Sequence, residues 1–303
     1  MNDPPLRLPE RLARGDSLIH VEVTPPRSYS AERLLDNVRT LQAAGVDLVN
    51  VADTPTARLR MSAWAICHLV EDQLAQETVL HFPTRGRNLL RVQSDLLAAH
   101  AIGLRNVFVT MGDPVDIGDY PGAGNTYDLA PSALIALIKR KMNAGVDLRG
   151  RSIGDPTTYT VGCALNVAAP DLARELKVLA RKQNGGADFA LCQALYVPER
   201  LRQFHDEYER VHGAPCALPL IISLMPLQSL RHARFLDEKV PGIYIPQEIM
   251  RRMEQARDPE AEGIAIALEI HEQLQPQPRG FYVIPSYERY DLAAELIRAI
   301  QSR

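Results

Sequence analysis

The chain has 303 residues, 46% of them hydrophobic and 23% charged, enough to bury a substantial core as one large α/β domain or two ordinary ones. A net charge of -3 and a pI near 6.3 give no general attraction to phosphate backbones or anionic membranes, so neither nucleic acid nor a membrane is an expected partner. Cys67, Cys163, Cys192 and Cys216 are widely spaced with no Cys-x-x-Cys pair, which indicates neither a metal site nor a disulfide framework and fits reduced thiols in a cytoplasmic protein. The first residues, MNDPPLRLPERLARGD, are polar and proline-rich, and no later stretch approaches about eighteen uninterrupted apolar residues. The expectation is a chain that is neither exported through a signal peptide nor membrane-spanning.

After this extension, residues 1–17, strands and helices alternate. Ile19, Val21 and Val23 alternate with His20, Glu22 and Thr24, the period of a strand, and Pro25-Pro26 forbids its continuation. Glu22 therefore falls near the carboxyl end of the first strand. Ser30 reads as the N-cap of a helix with Leu34, Leu35, Val38, Leu41 and Ala44 on one face, ended by Gly45. A strand from Val46 to Ala52 leads into Asp53-Thr54-Pro55, followed by a helix from Met61 to Gln76. The third strand, Thr78 to Phe82, carries His81 near its end, and the helix from Arg87 to Ile102 is closed by Gly103. Asn106 to Thr110 is the fourth strand, running into Met111-Gly112-Asp113-Pro114.

The stretch from Gly112 to Pro131 is the longest irregular segment, and a loop of that length inside a domain is functional or mobile. A helix from Ser132 to Asn143 and a strand from Tyr159 to Leu165 follow. Pro170-Asp171 opens a helix to about Gln183, and a sixth strand from Ala187 to Leu191 delivers Gln193. A helix from Pro198 to Val211 and a strand from Leu218 to Leu224 form the seventh pair. Gln228 to Glu238 and Gln247 to Leu274 read as helical, Gly280 to Ile284 as the last strand, and Asp291 to Ser302 as the closing helix. Eight strand-helix pairs with no dividing linker predict a single-domain (β/α)8 TIM barrel over residues 18–303.

In a barrel of this kind Glu22, Asp53, His81, Asp113, Asn166 and Gln193 all fall at or just beyond strand carboxyl ends and converge on one mouth. Singly each has a plainer reading: Asp53 as a turn cap, His81 as a core histidine, Asp113 as the start of a turn, Gln193 as a loop tether. Together they make a carboxylate-containing site with no nucleophile elbow and no phosphate-binding Gly-Lys-Ser/Thr loop.

Five stretches also carry a resemblance. His-Val-Glu-Val-Thr-Pro-Pro, Val-Ala-Asp-Thr-Pro, His-Phe-Pro-Thr-Arg-Gly-Arg-Asn-Leu, Val-Thr-Met-Gly-Asp-Pro-Val-Asp-Ile-Gly-Asp-Tyr-Pro and Gly-Ala-Asp-Phe-Ala-Leu-Cys-Gln resemble the methylenetetrahydrofolate reductase family. The resemblance is strongest to the reductase half of bacterial bifunctional homocysteine S-methyltransferase/methylenetetrahydrofolate reductase proteins, and it runs from about Leu18 to Ile300. It implies a FAD-containing barrel that takes hydride from NAD(P)H and reduces 5,10-methylenetetrahydrofolate to 5-methyltetrahydrofolate. Carried over, it makes Glu22 the general acid for opening the imidazolidine ring and Asp113 a carboxylate near flavin and folate. It makes Gln193 a contact to folate and nicotinamide, although Cys192 replaces the family's threonine. His81 would lie beside the flavin and Lys182 near its ribityl and phosphate region, with Asp53 and Asn166 as further cofactor contacts.

The chain also departs from the family. Leu165-Asn166-Val167-Ala168-Ala169-Pro170 stands where many members have Tyr-Pro-Glu-x-His-Pro, and Met111 replaces the arginine before Gly-Asp. Both changes remove polar contacts to FAD, and Arg85, Arg87 and Asn88 are the candidates to replace them. The alternative function is a folate- or flavin-binding barrel that does not reduce its ligand and serves as partner subunit of a methyltransferase. Oligomeric state is left open, a homo-oligomer included.

Overall fold

Parallel strands buried on both faces require apolar runs rather than strict alternation, and eight such runs form the wall of a closed barrel. The computed structural model describes residues 6–303 apart from Pro241 and Gln275. The strands are β1 (Leu18–Val23), β2 (Leu48–Val51), β3 (Thr78–Pro83), β4 (Asn106–Thr110), β5 (Thr160–Leu165), β6 (Phe189–Ala194), β7 (Leu220–Leu224) and β8 (Gly280–Val283). Each pairs in parallel with the next, and β8 closes on β1 with Leu18 opposite Gly280 and His20 opposite Tyr282. The helices are α1 (Leu8–Arg14), α2 (Glu32–Ala43), α3 (Ala63–Leu74), α4 (Leu89–Ala101), α5 (Pro131–Arg140), α6 (Leu172–Gly185), α7 (Glu199–His212), α8 (Leu230–Lys239), α9 (Gln247–Gln255), α10 (Pro259–Gln273) and α11 (Tyr290–Gln301). This is the single-domain (β/α)8 TIM barrel that the alternation predicts.

The period of two along each strand divides the core into two layers. On β1, Val21 and Val23 join the large cluster between strands and helices, with Leu34, Val49, Ile66 and Leu296. Leu18, Leu48, Val79, Phe108, Phe189, Leu191, Ile221 and Tyr282 form a separate cluster with Leu8. His20 and Glu22 share the parity of Leu18, and so turn inward. The inner cluster thus runs from the base upward, and its upper members Phe108, Leu191 and Tyr282 lie beside inward-facing polar side chains.

Helix α1 is the element that sequence periodicity does not reveal. Its seven residues are too few for a clear amphipathic signal, and the prolines around it suggest a loose extension. Yet Leu8 is fully buried in the inner cluster with Leu12 packed beside it, and its backbone N–H donates to Glu77 Oε1 at 3.1 Å. Removing a leucine side chain from water on this scale stabilises by about 2 kcal/mol.

Two expectations are corrected. The helix expected over Gln247 to Leu274 is divided, because Asp258 caps a new helix by accepting from Ala261 N and Pro259 takes its first position. The cap of α2 is Ala31, without a side-chain bond, rather than Ser30. The long loop after β4 is tied to the β3 loop, with Gly86 N donating to Thr126 O and Leu89 N to Asp128 Oδ2. Among the described residues no helix is long and apolar enough to cross a membrane.

Candidate active site

At the carboxyl ends of the strands lies an open cavity of about 540 Å³ lined by residues from every part of the wall. Glu22 (β1), Asp53 (after β2), His81 (β3), Asp113 (after β4), Asn166 (after β5), Lys182 (α6) and Gln193 (β6) all line it, whereas Arg85, Arg87 and Asn88 do not. Apolar surface from Ala52, Pro83, Phe108, Leu165, Leu191 and Ile284 separates them.

Glu22 is a half-buried acid of this cavity. Burial holds its carboxyl above the ordinary range; the Tyr282 hydroxyl pulls partly back, and the negative charge of Asp113 pushes further up. Tyr282 O–H donates to Glu22 Oε2, which fixes the carboxyl plane and leaves Oε1 as the second oxygen. The phenol is itself driven well above its usual range by burial and by Glu22, so it remains a donor. Sequence reasoning missed Tyr282. Its only signal is a polar tip in the parity of Gly280 within Gly-Phe-Tyr-Val, and the β8–β1 register that sets it near Glu22 is invisible in the sequence.

Asp113 has a second task. Its Oδ2 accepts from Thr56 N at 2.6 Å, while Arg85 donates from Nη1 to the Asp113 carbonyl at 2.6 Å and from Nη2 to Thr54 Oγ1. These bonds hold a turn in which Thr54, Thr56 and Ala57 have φ of 46°, 52° and 53°, a left-handed backbone that non-glycine residues keep only under constraint. Gly112 lets the β4 loop come close enough to do this, since a Cβ there would stand 2.8 Å from Pro83 Cβ. These bonds engage Asp113 Oδ2 and its carbonyl and do not use Oδ1.

The remaining residues differ in how far the protein already engages them. Asp53 is paired with Arg87 at 2.6 Å. Asn166 accepts from Ala168 N at 2.9 Å and donates to the Gly242 carbonyl at 3.3 Å, so its side chain shapes the β5 loop. Lys182 donates to the Ala164 carbonyl at 2.5 Å and is the single cation among the described residues lining the cavity. Gln193, half-buried on β6, completes the ring. Arg85, Arg87 and Asn88, the expected substitutes for missing cofactor contacts, are committed to the protein; Asn88 caps α4 by accepting from Leu90 N and Arg91 N.

Beneath the mouth a buried chain runs across three strands. His20 Nδ1 lies 2.9 Å from Asn50 Oδ1, and Asn50 Nδ2 lies 3.4 Å from His81 Nε2. Burial pushes His20 down to about 4; burial and then the neighbouring His20 push His81 down to about 3. Both rings are therefore neutral near pH 7. The unfolded chain takes up protons as pH falls below about 6.5 while the folded one does not, so stability is full above that pH and drops toward pH 4. Between pH 7 and pH 5 each histidine should remove on the order of 1–2 kcal/mol, measurable by urea unfolding, and His20→Leu should flatten the slope. A slope unchanged by that substitution would mean that other groups carry the acid sensitivity. Glu22 acts in the opposite sense, its contribution being lost as pH rises.

Fold and site together define a barrel of the kind that gathers its chemistry at the strand carboxyl ends. The sequence model of the methylenetetrahydrofolate reductase family matches residues 7–279, and the chain belongs to that family. Methylenetetrahydrofolate reductase 1 of Schizosaccharomyces pombe is 25% identical over 207 residues, covering 66% of this chain and 30% of that protein. Methylenetetrahydrofolate reductase 2 of the same organism is 22% identical over 261 residues, 84% of this chain and 40% of that protein. The chain thus spans well under half the length of these curated relatives. Among solved structures, an uncharacterized protein from Clostridium thermocellum described as binding two copies of 5-methyl-5,6,7,8-tetrahydrofolic acid superposes with a TM-score of 0.69 at 14% identity. That match covers 97% of this chain and 99% of the other. A riboflavin lyase, solved with modified FMN and riboflavin, gives 0.54 at 9% identity over 95% and 91% of the two chains. At such identities these likenesses show the fold alone.

Proposed function

We propose that the protein reduces 5,10-methylenetetrahydrofolate to 5-methyltetrahydrofolate with NAD(P)H and bound FAD. The observation that carries this reading is Glu22, a carboxyl whose affinity for its proton is raised by burial at the mouth of a barrel of the reductase family. The folate ligand named for the Clostridium thermocellum neighbour supports the same substrate class.

The lining residues fit a flavin ring. Apolar walls from Ala52, Pro83, Leu165, Leu191 and Ile284 suit a flat heteroaromatic system, and His81, Asp113 and Gln193 suit its polar edge. Lys182 is the residue for the ribityl and phosphate part, with Asp53 and Asn166 at the margin. One lining cation and the absence of polar groups at Leu165 and Ala169 make binding looser than in members that keep them. FAD, when bound, supplies the hydride relay between the nicotinamide and the folate.

The chain's own part is proton handling and placement. Protonated Glu22 gives its proton to the folate nitrogen that departs as the imidazolidine ring opens. The carboxylate left behind keeps the Tyr282 hydrogen bond, which steadies the new charge. Asp113 Oδ1 and Gln193 position the folate, and the apolar wall excludes water. Removing the Tyr282 donor takes away a bond that favours the charged carboxylate. Tyr282→Phe should therefore move the alkaline limb of the folate-reduction rate up by about one pH unit. A lower rate with an unmoved limb would leave Tyr282 a packing role only.

Incubating purified protein with FAD and adding NADH or NADPH anaerobically tests the cofactor assignment. Uptake of flavin and bleaching of its visible band are expected. Reduction of the folate without flavin uptake would show that the relay is bypassed. Flavin or folate binding without any reduction would favour the non-reducing partner-subunit reading.

A further inference from the structure

The buried chain beneath the mouth has one favoured hydrogen pattern. Asn50 presents one acceptor, Oδ1, to His20 and one donor, Nδ2, to His81. His20 must then carry its proton on Nδ1, and His81 must accept at Nε2 and carry its proton on Nδ1. An imidazolium at His81 would set N–H against N–H across the 3.4 Å contact. Rotating the amide to avoid that would set Nδ2 against His20 Nδ1 and move the His20 proton to Nε2. That nitrogen is buried without a partner among the described residues. The observed arrangement leaves an unpaired acceptor there, whereas the alternative would leave an unpaired donor, the rarer defect.

We propose that Asn50 and His20 are positioning residues that lock His81 in its neutral Nδ1–H tautomer, so that the barrel offers its ligand a fixed N–H donor from the third strand. The ligand chemistry selected is an acceptor on a heteroaromatic ring, a carbonyl oxygen or a pyridine-type nitrogen, rather than an anion seeking a cation. This deepens the proposed function, since it rests on a heteroaromatic ring occupying the mouth, but the lock itself belongs to the protein without ligand. The groups around His81 are consistent with it. The Phe108 ring lies 4.8 Å and the Tyr282 ring 6.4 Å from the imidazole, centre to centre, and Glu22 and Asp113 share its cavity without an ion pair to it. His20 faces Phe189 at 6.2 Å, with Asp47 and Arg11 as the charged groups that act on it.

Nitrogen-15 spectra of histidine-labelled protein read the tautomers directly, with His20→Gln and His81→Gln used for assignment. At pH 7 both rings should show a protonated Nδ1 and a pyridine-type Nε2. A His81 that is charged, or protonated on Nε2, overturns the proposal. In Asn50→Asp the carboxylate can only accept, so His81 Nε2 must become protonated; an unchanged pattern there also overturns the lock. Adding FAD to the labelled parent should move the His81 Nδ1 signal and leave the character of Nε2 as it was. Bound FAD with an unmoved Nδ1 signal overturns the donor role. A protein showing the locked tautomers but taking up no flavin would retain the lock and count against the functional reading instead.

Discussion

Glu22→Gln is expected to slow reduction of 5,10-methylenetetrahydrofolate by at least about 100-fold, the usual loss when a general acid is removed. The carboxamide keeps the shape of the side chain, and its oxygen can still accept from Tyr282, but it has no proton to give to the departing nitrogen. Reduction of bound flavin by NAD(P)H involves no ring opening and needs no such acid, so it should change far less. Stopped-flow measurement of the two half-reactions separates the outcomes. Equal loss in both would make Glu22 a residue that positions the cofactor. Near-normal folate reduction would move the acid elsewhere, with Asp113, a second carboxylate at the mouth, as the next candidate.

The second large effect concerns closure of the barrel. Gly280 begins β8 at φ 153°, and a Cβ there would lie 2.1 Å from the carbonyl oxygen of Leu18, its partner across the β8–β1 seam. Neither backbone can yield without opening the last pair of the ring, which also carries Tyr282 opposite His20. Gly280→Ala should destabilise by about 3 kcal/mol or more, comparable with severe overpacking. The melting temperature should fall by roughly 5–10 °C for a chain of this size. Melting within about 1 °C of the parent would show that the seam has room for a methyl group. Because Tyr282 moves with the strand, residual folded protein should also show a displaced Glu22 titration.

Much of this architecture was legible because the chain punctuates itself. Apolar runs such as Leu-Ile-Ile-Ser-Leu end in polar or proline residues, and helices close at Gly45, Gly103 and Gly186. The mouth followed from one rule, that strand carboxyl ends converge, which needs no knowledge of register. What register decides stayed hidden. Tyr282 reaches Glu22 only because β8 pairs with β1, and Asn50 joins His20 to His81 only because of the stagger between the first three strands. Asn50 did carry a signal, a lone amide inside Leu-Val-Asn-Val, but a polar residue in an apolar strand does not name its partners. The break before Pro259 was readable, since Asp-Pro is a helix start, and apolar periodicity on both sides obscured it.

Anaerobic mixing of the reduced, FAD-loaded protein with 5,10-methylenetetrahydrofolate tests the assignment of the mouth most directly. Return of the oxidised flavin spectrum, with stoichiometric formation of 5-methyltetrahydrofolate, is the predicted result. A flavin that stays reduced while the folate is recovered unchanged would contradict it.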